Sequence, residues 1–329
     1  SKADLSGTDL SGIDLSGVDL YGANLSGTDL SGANLCHAQL GSANLCDANL
    51  SGADLSGALL PFARLSKANL SDAGLENAKL YKADLSGANL TGTDLSGANL
   101  CYAQLESANL CDANLSGANL RSASLSNTNL SGADVDYAIL SYANLSGALL
   151  GNAKLYNAIL SGVDLSGANL KNADLSDANM SSVNLRRTDL SGANLSGADL
   201  SGAFLSYARL SKANLSDANL KNASLHHVNL SDANLKNASL SYANLLGAHL
   251  SGAGLENVKL YNADLSHANL SGANLSGADM RNSDLTNAVL LGTCLVGAIL
   301  SDANLSGTDI FLANVDTTDT ISSAPIDFF

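Results

Sequence analysis

The side chains that could bind a metal or carry catalysis follow a regular pattern along this sequence. Asp or Asn stands directly before most of the regularly spaced leucines. A metal site needs ligands that converge on one point, and evenly repeated carboxylates and amides do not converge. The histidines do not fall at metal-ligand spacings with Cys or Glu. They are His37, His226, His227, His249 and His267. We therefore expect no catalytic residues, no metal site and no bound cofactor.

Leucine occupies nearly every fifth position from Leu5 to Leu305, without an insertion or a deletion. The exceptions through residue 315 are Val135, Met180, Met280, Ile310 and Val315. Five residues advance an α-helix by about 500°, so these leucines would not form one stripe on a helix. An Ala usually stands two positions before the leucine, which puts both side chains on one face of an extended segment. The Ser, Gly, Asn and Asp between them favour turns. Each pentapeptide therefore predicts a short extended stretch with two inward side chains, followed by a corner.

The recurring sequences SGANL and SGADL resemble the pentapeptide-repeat family, whose consensus is A-[DN]-L-x-x, and its cyanobacterial members in particular. The resemblance covers residues 1 to about 318. It implies an all-β fold, a right-handed quadrilateral β-helix with four pentapeptides per coil. The 63 pentapeptides up to residue 315 would form about sixteen coils without interrupting loops. We expect one β-helix over residues 1–320 and a C-terminal tail over residues 321–329 that caps it.

The composition of the chain excludes some classes of binding partner and indicates the cell compartment in which it works. It carries 31 acidic and 16 basic residues, and the net charge of −15 argues against direct binding of nucleic acid, which needs a basic stripe. No run of eighteen apolar residues is present, so we expect no membrane span. The cysteines of each close pair would lie on opposite sides of a four-unit coil, too far apart for a disulfide. Reduced thiols favour a reducing compartment. The recurring Asn-Leu-Ser matches the N-glycosylation sequon, which a eukaryotic secretory route would modify heavily, so we favour a bacterial cytoplasm. The resemblance to cyanobacterial proteins leaves a thylakoid-associated or lumenal location open.

Departures from the consensus on the outside of the coils are the candidates for function. We number the four faces of a coil by their leucines: leucines at multiples of twenty lie on face 4, and those five, ten and fifteen positions later lie on faces 1, 2 and 3. The pentapeptides of face 3 are rich in acids. Aromatic and basic residues recur on face 4 over five consecutive coils, and Tyr and Arg are enriched at protein interfaces. Sequence drift on an exposed surface would give the same residues. The face-4 stripe consists of Phe62, Tyr81, Lys82, Tyr102, Arg121 and Tyr142.

Two further groups of residues are candidates for contacts. The face-1 patch consists of Arg186, Arg187, Phe204, Tyr207, His226 and His227. The C-terminal group, a cap or a contact, consists of Phe311, Leu312, Phe328 and Phe329. We favour the capping role for the C-terminal group, because a stack of coils must shield its last coil from water and from edge-to-edge pairing.

The sequence does not predict an enzyme, because an uninterrupted four-sided coil offers no concave pocket. It predicts a non-enzymatic structural or protein-binding scaffold that binds a partner protein through the face-4 stripe. Assembly of several copies through an end of the stack is left open. The alternative is a DNA-mimicking inhibitor of a type II topoisomerase that binds gyrase, because some family members are acidic and protect gyrase in this way. Those members typically interrupt the repeat with loops and dimerise through a C-terminal helix, and this sequence lacks both features.

Overall fold

The computed structural model describes residues 3–315. Its backbone repeats one five-residue unit, in which two turn residues follow each leucine and the residue before the next leucine pairs with a neighbouring coil. The strands of the described residues are therefore single bridge positions at intervals of five, from Asp4 to Asn314, with Asp309 as the exception. The one helix within residues 3–315 is the short 3-10 helix Ile310–Leu312.

Each coil contains twenty residues. Every bridge is parallel and joins residues twenty positions apart, as in Asp4 with Asn24 and Asn24 with Asn44. The backbone hydrogen bonds keep the same spacing, since the Asn24 N–H donates to the Ala3 carbonyl at 2.9 Å and the Leu25 N–H donates to the Asn44 carbonyl at 2.7 Å. Four pentapeptides per coil are thereby confirmed. The chain forms two compact units, unit 1 (Ser1–Asn169) and unit 2 (Leu170–Phe329).

The corners of the coil explain the polar part of the consensus. The second residue after each leucine, from Gly7 to Gly307, is left-handed, with φ between 53° and 71°. Gly, Asn and Asp adopt this conformation readily, whereas β-branched residues do not, and no Val, Ile or Thr stands at any of these positions. The Asx residue before the leucine supports the same corner, as where Asp29 Oδ1 accepts a hydrogen bond from the Ser31 N–H at 3.0 Å.

The core of each unit consists of stacked leucine and alanine columns. Leu75 in unit 1 and Leu215 in unit 2 have no exposed surface, and the alanines two positions before them are only 1% exposed. The inward assignment made from the sequence is confirmed. A few Thr residues replace the inward Ala, and their hydroxyls are satisfied, as where Thr93 Oγ1 donates to the Leu70 carbonyl at 2.7 Å. No buried side-chain nitrogen or oxygen in the described part of the chain lacks a hydrogen-bond partner.

The repeat changes at its last described turn. Ile310 is buried at the start of the 3-10 helix, whereas Phe311 and Leu312 are 77% and 46% exposed. Phe328, Phe329 and the predicted tail over residues 321–329 lie outside the described residues, so the capping role and the boundary at residue 320 stay predictions. No helix found between residues 3 and 315 is long and apolar enough to cross a membrane.

Candidate functional site

The aromatic residues of the face-4 stripe contact one another in unit 1. The ring centres of Phe62 and Tyr81 are 5.7 Å apart with an interplanar angle of 87°, and those of Tyr81 and Tyr102 are 5.8 Å apart at 79°. Phe62 and Tyr102 occupy the second turn position of their coils, while Tyr81 occupies the first. This alternation brings the rings together edge to face, an arrangement that aromatic pairs favour. Three consecutive coils thus present one aromatic cluster.

Lys82 lies among these three rings. Its Nζ is 5.3 Å from the ring centre of Tyr81 and 5.9 Å from those of Phe62 and Tyr102. An ammonium within about 6 Å of a ring face is attracted by the ring's electrons, with about 0.5–1 kcal/mol per contact at an exposed site. The cluster therefore holds a positive charge at its centre and still exposes half of the Phe62 and Tyr102 surfaces.

The remaining two stripe residues form a second contact on the next coils. The guanidinium carbon of Arg121 lies 5.9 Å from the ring centre of Tyr142. A backbone hydrogen bond of 3.0 Å from the Tyr102 N–H to the Arg121 carbonyl joins this pair to the aromatic cluster. The structure therefore places all six predicted residues on successive coils, as a group of four and a group of two.

Four residues on face 4 or at its border with face 3 were missed by the sequence analysis. Tyr137 and Tyr156 pack edge to face with ring centres 5.5 Å apart, and Ile139 pairs with Ile159 at the middle of the same face. The two tyrosines follow leucine positions of face 3, so they were counted with that face. Each turn nevertheless lies at the corner between two faces, and the twenty-residue period alone could have placed them at the border of face 4.

Face 4 of unit 2 repeats the pattern of aromatic rings and cations. Tyr242 and Tyr261 have ring centres 5.6 Å apart, with Lys221 Nζ 5.9 Å from the first and the Arg281 guanidinium 5.8 Å from the second. Arg281 also donates to both carboxylate oxygens of Asp279, at 2.8 and 2.7 Å. These hydrogen bonds lower the pKa of Asp279 and raise the pKa of Arg281.

The face-1 patch also divides into local contacts in unit 2. The guanidinium of Arg186 lies 4.7 Å from the ring centre of Phe204. Tyr207 and His227 are stacked, with ring centres 5.3 Å apart and an interplanar angle of 23°. The first of these contacts places a cation against a ring, as on the face-4 stripe, and the second stacks two rings.

The other two residues of the face-1 patch interact through serines. His226 Nδ1 lies 2.8 Å from the Ser224 hydroxyl. The Arg187 N–H donates to the Ser206 carbonyl at 3.2 Å. The six predicted residues thus lie on three successive coils.

The described residues offer little for metal or thiol chemistry. Residues 3–315 contain no group of three or more His, Cys, Asp or Glu side chains arranged to bind a metal ion. Burial raises the pKa of the Cys101 and Cys111 thiols. A thiol with a raised pKa carries little thiolate at neutral pH, so it is a poor nucleophile and a poor metal ligand. The five cysteines, all without a disulfide, are Cys36, Cys46, Cys101, Cys111 and Cys294.

Comparison with known families settles what kind of chain carries these surfaces. The family model described as pentapeptide repeats (8 copies) matches in overlapping segments that together cover residues 1–35 and 38–302. The chain belongs to the pentapeptide-repeat family. Its fold is therefore the right-handed quadrilateral β-helix expected from the sequence. None of the curated proteins matches the chain.

Solved pentapeptide-repeat proteins resemble parts of this repeat chain. HetL, involved in the regulation of heterocyst differentiation in the cyanobacterium Nostoc sp. strain PCC 7120, is 37% identical over 62% of this chain and 88% of its own, with a TM-score of 0.29. A thylakoid-lumen protein of Arabidopsis thaliana is 34% identical over 32% of this chain and 69% of its own, with a TM-score of 0.19. QnrB1, a plasmid-mediated fluoroquinolone resistance protein, is 22% identical over 57% of this chain and 90% of its own, with a TM-score of 0.29.

Proposed function

We propose that this pentapeptide-repeat protein is a non-enzymatic scaffold that binds a partner protein through the face-4 stripe. The observation that carries the proposal is the cluster in unit 1 in which Lys82 lies among the rings of Phe62, Tyr81 and Tyr102. Tyr is among the residue types enriched in the side chains that contribute most to protein interfaces, and this cluster presents two of them.

The flatness of the face supports a protein partner over a small ligand. Small-molecule sites are concave and enclose most of their ligand, whereas the turns and bridges of this repeat follow one regular outline with every fifth residue in register. A flat surface reaches specificity through a ladder of anchors set one coil apart, about 4.8 Å. The stripe supplies such a ladder on five consecutive coils, from Phe62 to Tyr142.

The test is capture of the partner from the lysate of the native cell. Replacing Tyr81, Tyr102 and Tyr142 together by Ser should leave the fold intact, because these side chains point outward. It should weaken partner binding more than tenfold, since an anchor of this kind often contributes about 2 kcal/mol or more.

The matched control removes three rings from the face-1 patch of unit 2. The variant Phe204→Ser, Tyr207→Ser and His227→Ser should bind the partner as the parent does. Equal binding by the stripe variant and the parent, together with loss in the control variant, would show that the wrong face was chosen.

A gyrase assay with the purified protein tests the alternative function, a DNA-mimicking inhibitor of a type II topoisomerase. A surface that imitates DNA must be acidic, whereas the stripe is aromatic and basic. We expect gyrase supercoiling to be unaffected at micromolar protein. Strong inhibition in that assay would favour the inhibitor over the scaffold.

We further propose that the scaffold acts in the cytoplasm of a bacterium. The five cysteines, free of disulfides, suit a reducing compartment. Fractionation of the native cells should recover the protein with cytoplasmic markers, and recovery with thylakoid-lumen markers would replace this location.

A further inference from the structure

The two edges of face 4 carry opposite charges in unit 1. The edge shared with face 3 has the acids Glu76 and Asp136 and neither Lys nor Arg, whereas the edge shared with face 1 has Lys82 and Arg121 and no acid. Face 4 is therefore polarised across its width, from an acidic edge to a basic edge.

Unit 2, taken by itself, repeats this polarity. Its acidic edge carries Asp177, Asp217 and Glu256, and its basic edge carries Lys221 and Arg281. Lys236 on the acidic edge and Asp302 on the basic edge are the exceptions among the described turns. The same order of an acidic and a basic edge thus recurs over many coils. It favours a partner surface that places a basic edge against the acidic edge of face 4 and an acidic edge against its basic edge.

We infer that face 4 of unit 1 binds face 4 of a second copy of this chain, with the two stacks parallel. The inference rests on the proposed function, since it names the partner of the face-4 stripe. A two-fold axis parallel to the stacking direction brings the acidic edge of one copy against the basic edge of the other at the same coil. Glu76 then faces Lys82 of the second copy, and Lys82 faces the second Glu76.

The charges also reject the antiparallel pairing. A two-fold axis across the face would bring acidic edge against acidic edge and basic edge against basic edge, and like charges in register are destabilising. The parallel arrangement therefore follows from the order of the charges. Face 4 is self-complementary in it, because the same surface of both copies forms the interface.

The middle of the face adds apolar contacts to the charge pairs. Leu59, Ile139 and Ile159 lie at its bridge positions, with Leu59 36% and Ile159 37% exposed. In the parallel pair each of these residues faces the same residue of the second copy. Tyr137 of one copy lies at the level of the coil that carries Tyr142 of the other. Two sheets packed about 10 Å apart would bury these side chains between them.

Two charged residues at the middle of face 4 oppose the pairing, because each would meet its own copy: Lys79 and the exposed Asp19. Lys79 is exposed at the middle of face 4, on the coil that carries Glu76 at one edge and Lys82 at the other. In the parallel pair Lys79 also meets its own copy, and this repulsion weakens the interaction. Its replacement by Gln should therefore tighten the pair.

Sedimentation velocity of the purified chain tests the inference. The parent should dimerise as its concentration rises through about 1–200 µM, because a narrow interface gives weak association. Either Glu76→Lys or Lys82→Glu should weaken the dimer at least tenfold. The double variant should restore it, since the exchanged charges face each other again, and Lys79→Gln should strengthen it.

Matched controls lie in the same unit, at the corner between faces 1 and 2. Lys67 occupies the same left-handed turn position as Lys82, with φ of 59° against 55°. Glu106 accepts a hydrogen bond from the Ser86 hydroxyl, as Glu76 does from the Ser56 hydroxyl. Lys67→Glu and Glu106→Lys change the net charge equally, and both should dimerise like the parent.

The outcomes separate this inference from the proposed function. A parent chain that stays monomeric but captures a lysate protein through the face-4 stripe overturns self-pairing and leaves the scaffold proposal standing. A dimer indifferent to both charge reversals, or one that the double variant does not restore, also overturns the parallel pairing. A dimer that follows the charges while the stripe captures no other protein supports self-pairing alone.

Discussion

The ring of Tyr142 lies against Gly162 on the following coil. A Cβ atom at residue 162 would lie 2.9 Å from both Cδ1 and Cε1 of that ring, closer than real side chains approach. The imidazoles of His37 and His227 cover Gly57 and Gly247 in the same way. Glycine at these corners therefore serves the left-handed turn and also leaves room for an aromatic side chain from the preceding coil.

Gly162→Ala should move the Tyr142 ring, and Gly167→Ala is its control. The two glycines have φ of 65° and 67°, and nothing lies within 4 Å of a Cβ at residue 167. Both variants place Ala in the left-handed conformation, which costs each of them about 1–2 kcal/mol. Any additional loss of stability in Gly162→Ala therefore comes from the displaced ring. We expect a lower melting temperature and weaker partner binding for Gly162→Ala. Equal behaviour of the two variants would mean that the ring moves without cost.

The sequence predicted the columns of this fold because its period is unbroken. A residue such as Leu75 is inward and Tyr81 outward by count alone, and the coil of twenty residues then places Tyr81 beside Tyr102. The ring contacts could not be predicted, because they depend on side-chain rotamers at the corner. Nothing in the count shows that Lys82 turns its ammonium toward three rings, or that Tyr142 lies on glycine.

Gly117→Val should destabilise unit 1 through the backbone alone. Gly117 has φ of 65°, and nothing lies within 4 Å of a Cβ there, so an added Cβ meets no neighbour. A left-handed conformation costs an ordinary residue about 1–2 kcal/mol, and a β-branched residue adopts it least readily. Gly117→Asn should cost less, because Asn is tolerated at such positions. Urea unfolding would measure both, and equal losses would contradict the role of φ.

Leu75→Asp should prevent unit 1 from folding normally. Leu75 has no exposed surface, and a carboxylate placed there would be buried among leucines without a partner, at a cost of several kcal/mol. Circular dichroism should show a loss of β-structure. Asn77→Asp adds the same charge at an exposed corner two residues away and should leave the spectrum unchanged. A normal melting temperature for Leu75→Asp would refute the inward assignment at this position.

Acid should weaken unit 2 through Asp279. The two hydrogen bonds from Arg281 hold the pKa of Asp279 below the ordinary value of 3.8, against the opposing effect of burial. A carboxylate with a lowered folded pKa contributes stability that is present above the unfolded pKa, about 3.9. That stability is lost as the pH falls through the folded pKa, because the unfolded chain binds the proton first. Asp279→Asn should therefore be less stable than the parent at pH 6, and the two should converge as the pH falls below the folded pKa of Asp279. Arg281→Gln should likewise flatten the dependence on pH. A stability difference between the parent and Asp279→Asn that stays constant from pH 6 to low pH would show that the ion pair contributes nothing through its charge.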